Sequence, residues 1–308
     1  MDISRSLRSL ALPAGSTCAA LGLFSGLHLG HMAVINQMLA LAKAGGLKPL
    51  VFTFTAERHA PAAKGSMTGL LSFEQMCALL SQAGVGQIVC PEFDEFCALT
   101  PERFVREVLY TRLGVAGVVC GFDYRFGKDA LGDTNSLRAL CARLGIAAEV
   151  VPAVLVDGQP AASRRIRALV ESGEIPAANR LLGRHFAIDF EVVRGRQLGR
   201  TLGLPTINQV FPPGFTLPRF GVYATRSCLG GKIYSSVTNV GVKPTVGSEA
   251  VLAETYIQDF SGDLYGERVN VEFVQFLRPE QTFPDLCALK AAISADAAQA
   301  KAIISASL

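Results

Sequence analysis

The hydrophobic period of this chain changes once, near residue 183, and that change restricts the fold more than any other feature. Before it, strand-length apolar runs alternate with segments of helical period. Cys18–Phe24 runs into the turn Ser25-Gly26. Val34, Met38 and Leu41 then recur at helical spacing beside Ile35 and Leu39, as on the buried face of a helix. Gly45-Gly46 ends that helix. Leu50–Phe54, Gln87–Cys90, Val115–Val119 and Ala147–Val151 repeat the apolar pattern, and Glu102–Leu113 has the period of an intervening helix. Apolar strands separated by helices predict a parallel sheet covered on both faces. Ligands in such sheets bind beyond the carboxyl ends of the strands.

After a helical segment at Ile166–Leu182 the period drops to two. Phe186, Ile188, Phe190 and Val192 alternate with polar or small residues, as do Val269, Val271 and Phe273. Punctuators such as Pro212-Pro213-Gly214 and Gly262-Asp263 separate the runs. The pattern predicts an all-β barrel. A last helix is predicted from about Pro284 to the end, with Leu286, Leu289, Ile293 and Ala297 on one face. The predicted domains are 1–183 and 184–308, in keeping with a prior of about 150 residues per domain.

Half of the 308 residues are apolar, which excludes a disordered chain. The charge balance, 29 − 26 = +3, is too small for an electrostatic nucleic-acid binder. Mean hydropathy is +0.33, yet no run approaches the roughly 20 apolar residues of a membrane-spanning helix. Met1–Ala14 has no long apolar core and is read as lacking a signal peptide. The eight cysteines have no regular spacing and are expected to be reduced core residues of a cytoplasmic protein.

Five constellations could carry chemistry. Gly22-Leu-Phe-Ser-Gly26-Leu-His28-Leu-Gly30-His31 follows the first long strand. His28 and His31 are three apart at a helix start, so both rings can face one side. Gly30 leaves room for a phosphate, and a helix N-terminus attracts anions. These residues form a cradle for a triphosphate, or else are two unrelated surface histidines. Gly121-Phe-Asp123-Tyr-Arg125-Phe-Gly127 lies at another strand's carboxyl end and reads as a ligand loop or an ordinary turn. Ser163-Arg164-Arg165-Ile166-Arg167 opens a helix, with Ser163 as expected N-cap and the arginines as a polyphosphate grip or a solvated charge run. In the second half, Gly195, Gly199, Arg200 and Gly203 belong to a glycine loop leading to Pro205-Thr206-Ile-Asn208. Thr206 and Asn208 share one face of a strand and can hold Mg²⁺ and a phosphate oxygen. Glu254 is a general-base candidate or an exposed strand residue.

Taken together, these motifs resemble the prokaryotic bifunctional riboflavin kinase/FMN adenylyltransferase family, also called FAD synthetase. Its barrel carries G-R-x-L-G-F-P-T-A-N, and this chain reads Gly199-Arg-Thr-Leu-Gly-Leu-Pro-Thr-Ile-Asn208. Gly221-Val-Tyr-Ala224, Asn239-Val-Gly-Val-Lys-Pro-Thr245 and Asp259-Phe-Ser-Gly-Asp-Leu-Tyr-Gly266 are also similar to the family. Its first motif, G-N-F-D-G-V-H-x-G-H, keeps both histidines here, with Leu23 for the Asn and Ser25 for the Asp. The family's T-F-x-P-H-P reads Thr53-Phe54-Thr-Ala-Glu57-Arg58, and its S-S-T-R-I-R reads Ala162-Ser163-Arg164-Arg165-Ile166-Arg167.

The resemblance implies an α/β Rossmann-like nucleotidyltransferase domain followed by an all-β riboflavin-kinase barrel with a C-terminal helix. It implies riboflavin, FMN and ATP as substrates, with Mg²⁺. By it, Thr206 and Asn208 hold Mg²⁺ and nucleotide phosphate, and Arg278 lies near the substrate. Glu254 takes the proton from the ribityl 5′-hydroxyl as that oxygen attacks the γ-phosphate. In the first domain the FMN phosphate attacks the ATP α-phosphate and pyrophosphate leaves, so His28, His31 and Arg167 have charge to stabilise rather than bonds to make. The substitutions at Ser25, Ala162 and Arg164 keep open a kinase with a degenerate first domain. Other readings are a non-catalytic flavin or nucleotide sensor, and another nucleotidyltransferase using the histidine loop alone. No nucleic-acid or membrane partner is expected.

Overall fold

The computed structural model describes residues 1–55, 68–195, 203–245 and 248–306. They form two compact units. One takes Met1–Met67 and Phe73–Ala161, and the other takes Thr68–Ser72 and Ala162–Leu308.

The first unit holds six parallel strands: β1 (Asp2–Ser4), β2 (Thr17–Leu21), β3 (Lys48–Phe52), β4 (Gln87–Val89), β5 (Val115–Gly121) and β6 (Ala147–Val151). Their order is β1-β4-β3-β2-β5-β6. The apolar runs predicted as strands are strands, each within a few residues of its expected ends. β1 is an addition, since Asp2-Ile3-Ser4 has no apolar run to announce it. The direction of strand progression reverses between β2 and β5. That reversal is a topological switch point, where the crevice beyond the strand ends opens. Helix α1 (Leu29–Gly45) buries Val34, Ile35, Met38 and Ala42, and ends at Gly46 in the left-handed region. α2 (Phe73–Gln82) and α3 (Thr134–Ala142) follow the same logic, with Asp133 and Ser136 forming a capping box at α3. The segment expected as one helix at Glu102–Leu113 begins with a single α-turn and continues as a π-helix over Phe104–Arg112. The wider spacing is visible where the Leu113 N–H donates to the Val108 carbonyl. A short hairpin, β7 (Leu155–Val156) and β8 (Gln159–Pro160), completes this unit.

Its core is aromatic on one side of the sheet, where Phe52, Phe96, Phe104 and Phe126 pack with Leu21, Leu50 and Val118. Cys18, Cys120 and Cys141 are buried, and burial pushes their thiols up to about 12. They therefore stay protonated and unreactive. Cys90 is also buried, but Cys77, Cys97 and Cys228 are half-buried and Cys287 is exposed, so the expectation of core cysteines holds for four of the eight.

The second unit holds α4 (Ser163–Ser172), α5 (Ile175–Leu182) and an antiparallel sheet. The expected single helical segment is two helices because Gly173 adopts a φ of 86° between them. The sheet strands are β9 (Phe186–Ile188), β10 (Val192–Val193), β11 (Thr206–Val210), β12 (Gly221–Leu229), β13 (Lys232–Thr245), β14 (Ser248–Ile257) and β15 (Asn270–Arg278). Their order is β10-β11-β14-β13-β12-β15-β9. One face is lined by Thr225, Ser227, Ser236, Thr238 and Thr255, all fully buried and linked by hydroxyl hydrogen bonds of 2.8–2.9 Å. These bonds satisfy the buried polar groups and tie β12, β13 and β14 to one register. Thr68–Ser72 joins this unit through the Gly69 N–H to the Gly214 carbonyl, 2.7 Å, and the Thr216 N–H to the Gly69 carbonyl, 2.9 Å.

Helix α6 (Leu286–Ser305) starts at the N-cap Asp285. The face expected to be buried was Leu286, Leu289, Ile293 and Ala297, but of these only Ala297 is buried, and Leu286 is 54% exposed. The helix meets the sheet through its C-terminal half, where Ala297, Ala300 and Ile304 pack on Val222, Ala224, Val237 and Val274. Alanines give the close approach that leucines at the other end would prevent. Asp296 is buried beside them and pairs with Arg278 of β15, Nη2 to Oδ2 at 2.8 Å and Nε to Oδ1 at 3.1 Å. Removing one partner strands the other. Asp296→Ala is expected to destabilise this unit by about 3 kcal/mol, read as a lower urea midpoint for the transition that α6 helicity reports.

Candidate active sites

In the first unit, β2 and β5 pair in parallel with Leu21 opposite Cys120. The loops starting at Gly22 and Gly121 therefore leave the sheet side by side, at the switch point. The Gly22 N–H is held by the Phe52 carbonyl at 3.2 Å. The loop then dives inward, with Phe24, Leu27 and His28 all buried. Leu27 has a φ of 41°, a conformation that costs a non-glycine residue on the order of 1–3 kcal/mol and collects at functional loops.

His28 is the N-cap of α1, and its Nδ1 accepts the His31 N–H at 3.3 Å. The two imidazoles stack with centroids 3.7 Å apart and an interplanar angle of 22°, and Phe24 meets His31 edge-on at 5.3 Å. The pair predicted to share a side does so. A Cβ on Gly30 would lie 3.2 Å from the His28 ring and from the Ala161 carbonyl oxygen. The first turn of α1 carries no acidic residue, so no carboxylate there would repel an anion at its free amide ends. Asp123 is exposed in the loop after β5 and lies 3.4 Å from where a Gly121 Cβ would be.

Ser163 and Arg167 belong to the second unit. Ser163 is the first residue of α4 and not its cap. Ala162 occupies the N-cap in extended conformation, with no side-chain oxygen to offer. Arg167 is half-buried and its Nε donates to the Thr68 carbonyl at 3.2 Å; burial holds its guanidinium below the ordinary value.

The second candidate site lies on the face of the antiparallel sheet opposite the hydroxyl row. Register places Asn208 of β11 opposite Glu254 of β14, Glu254 opposite Asn239 of β13, Asn239 opposite Val222 of β12, and Val222 opposite Arg278 of β15. Directly opposite residues share a face, so one row crosses five strands. Thr206 lies two residues from Asn208 on that face, opposite Tyr256. Asn208 is buried, and a Cβ on Gly195 would fall 2.5 Å from its Nδ2. Only glycine permits that approach. Gly199 and Arg200 lie outside the described residues, as do Glu57 and Arg58.

The structure thus brings Thr206, Asn208, Glu254 and Gly195 together, and sets Arg278 at the far end of the row, bound to Asp296. Asn239, Glu280 and Asp296 were not singled out from sequence. The Asn239 Nδ2 donates to the Glu280 Oε1 at 3.1 Å. Only the similarity of Asn239–Thr245 to a family motif pointed toward that strand. Among the described residues no three His, Cys, Asp or Glu side chains gather as a metal cage. No helix among them is long and apolar enough to cross a membrane.

Comparison with known proteins adds the family. Residues 13–165 match the family model described as FAD synthetase, and residues 182–304 match that described as riboflavin kinase. The chain is 33% identical to a bifunctional riboflavin kinase/FMN adenylyltransferase of Pseudomonas fluorescens, over 98% of each chain. It is 32% identical to one from Listeria monocytogenes, covering 90% of this chain and 89% of that one, and 30% identical to one from Escherichia coli K12, over 96% of each. A crystal structure described as a macrolide-efflux protein from Streptococcus pneumoniae has the same fold, with a TM-score of 0.83, 26% identity, and coverage of 97% of this chain and 98% of that one.

Proposed function

Because the chain belongs to the bifunctional riboflavin kinase/FMN adenylyltransferase family, we propose that it phosphorylates riboflavin to FMN with ATP and then adenylylates FMN to FAD. The observation that carries the kinase half is the row Asn208–Glu254 beside Thr206, with Gly195 against the Asn208 amide. We assign residues 184–308 to the kinase and 1–183 to the adenylyltransferase. The first is a riboflavin-kinase barrel with a C-terminal helix. Closure of the barrel is supported by the Glu191–Arg268 bridge and by the Val192 N–H bonded to the Glu267 carbonyl at 2.9 Å, which join the β10 edge to the chain entering β15. The second is a Rossmann-like nucleotidyltransferase domain, a reading supported by the six parallel strands and their switch point.

In the kinase, Glu254 takes the proton from the ribityl 5′-hydroxyl as that oxygen attacks the γ-phosphorus and the bond to ADP breaks. Phosphoryl transfer asks mainly for alignment and charge neutralisation. Thr206 and Asn208 offer hard oxygens on one strand face, a pair that fits a magnesium ion shared with substrate phosphates rather than caged by protein. When bound, that ion supplies charge to the phosphates. Gly195, with Gly199 and Arg200 by the family motif, is assigned to nucleotide binding, and Arg278 anchors α6 at the end of the row nearest its own strand.

In the adenylyltransferase, an FMN phosphate oxygen attacks the ATP α-phosphorus and pyrophosphate leaves. His28, His31, Gly22, Gly30 and the amide ends of α1 receive the triphosphate. Asp123, at the neighbouring strand end, joins them, and Ser163 and Arg167 are proposed as phosphate ligands from the family motif alone. The setting is cytoplasmic, where riboflavin, FMN and ATP meet.

Incubating the purified chain with riboflavin, ATP and Mg²⁺ is expected to yield FMN by chromatography, and EDTA is expected to stop it. A preparation that binds flavin yet forms no FMN would contradict the kinase assignment.

A further inference from the structure

We propose that Asn239 is a positioning residue for Glu254, and that Glu280 and Gly241 hold it in place. This rests on the reading of Glu254 as the base of riboflavin phosphorylation. Glu254 has Asn208 directly opposite on one neighbouring strand and Asn239 directly opposite on the other. The Cβ atoms of such pairs stand about 4.5–5.5 Å apart, so Glu254 is flanked by two asparagines. They are not equivalent. Asn208 is buried against Gly195 on the Thr206 side. Asn239 is half-buried and tied outward, its Nδ2 donating to the Glu280 Oε1 at 3.1 Å.

An amide nitrogen carries two hydrogens. With one committed to Glu280, the Asn239 amide cannot rotate freely, and the other hydrogen is kept for an acceptor along the row. The neighbour there is the Glu254 carboxylate. A base that must meet one particular hydroxyl works best when its reacting oxygen is aimed, and a hydrogen bond to the other oxygen aims it.

Gly241 lies two residues beyond Asn239 on the same strand face. A Cβ at 241 would sit 2.2 Å from the Glu280 Oε1. The atom it would displace is the end of a flexible, exposed side chain. A methyl group there therefore moves Glu280 off Asn239 while the strand stays in place. This gives a substitution that touches neither amide nor base yet removes the support.

The test is steady-state kinetics of FMN formation by the full chain, with thermal unfolding of the same preparations as the control for folding and FAD formation from supplied FMN as the measure of the other active site. Asn239→Ala is expected to lower kcat about tenfold with KM for riboflavin and ATP within about twofold. Glu280→Ala and Gly241→Ala should each lose part of the same kcat. Glu280→Gln, which keeps an acceptor oxygen, should recover most of the Glu280→Ala loss. Asn239→Ala with Glu280→Ala should be no slower than Asn239→Ala alone, because the two act through one contact. A raised KM at unchanged kcat would make Asn239 a binding contact instead. Losses that multiply, or a Gly241→Ala variant with wild-type kcat, would overturn the support by Glu280. Glu254→Gln run alongside separates the two levels. An inactive Glu254→Gln with a fully active Asn239→Ala overturns the positioning and keeps the base, whereas a fully active Glu254→Gln overturns both.

Discussion

Glu254→Gln will slow riboflavin phosphorylation by about 10²–10⁴-fold, the usual worth of a general base. The substitution keeps shape and hydrogen-bonding capacity, so β14 stays paired to β11 and β13 through backbone bonds that the side chain does not touch. KM for ATP should change by no more than a few-fold, because Thr206 and Asn208 remain. FAD formation from FMN should persist, since that chemistry is assigned to the other set of residues. Measuring both reactions together with thermal unfolding on one preparation reads loss of the base apart from loss of fold. A Glu254→Gln enzyme with undiminished kcat would show that the row holds substrate without moving its proton.

The second large effect is expected at His28. Its Nδ1 caps α1, so removing the side chain mixes two consequences. His28→Ala leaves the His31 N–H without its acceptor and costs about 0.5–2 kcal/mol of stability for the lost cap. His28→Asn keeps an oxygen where Nδ1 accepts, asparagine being among the favoured N-caps, but removes the imidazole stacked on His31. FAD synthesis by His28→Asn should fall about 10²–10³-fold, the scale of losing one charge-stabilising donor, while FMN formation continues. Thermal unfolding would register the alanine variant and barely register the asparagine one. Equal FAD synthesis in His28→Asn and wild type would leave His28 with a structural role alone.

The pairing at His28 was legible because it is local. Three residues separate the histidines, and a helix start fixes their relation. Strands β2 to β5 were legible for a similar reason, since a strand in the middle of a covered sheet needs a nearly unbroken apolar run, whereas β6, half-buried at the sheet edge, showed itself by the alanines and valines on either side of Glu149. β1 was not, because Asp2-Ile3-Ser4 pairs at the sheet edge through backbone bonds that any short segment could make. The π-helix at Phe104–Arg112 escaped because its buried residues, Phe104, Val105, Val108 and Leu109, fit an α-helical period as well.

In the second unit Thr206 and Asn208 could be placed together by their spacing, and Glu254 by resemblance to the family. That Asn239 stands opposite Glu254 depends on the register of a long hairpin, which the hydroxyls of Thr225, Thr238 and Thr255 help to set from the far face. Neither the pairing nor the Arg278–Asp296 clamp leaves a periodic trace. The large apolar residues Leu286, Leu289 and Ile293 do not mark the buried face of α6, because the contact is made by Ala297, Ala300 and Ile304.

The claim that this chain makes FAD, and not FMN alone, is tested most directly by the reaction its most altered motifs must perform. Wild-type chain is incubated with FMN, ATP and Mg²⁺, without riboflavin, and the products are separated by chromatography. FAD and pyrophosphate should appear in equal amounts and grow with time. Absence of FAD, from protein that still converts riboflavin to FMN, would contradict the claim and leave a kinase joined to a unit whose ligand is something else.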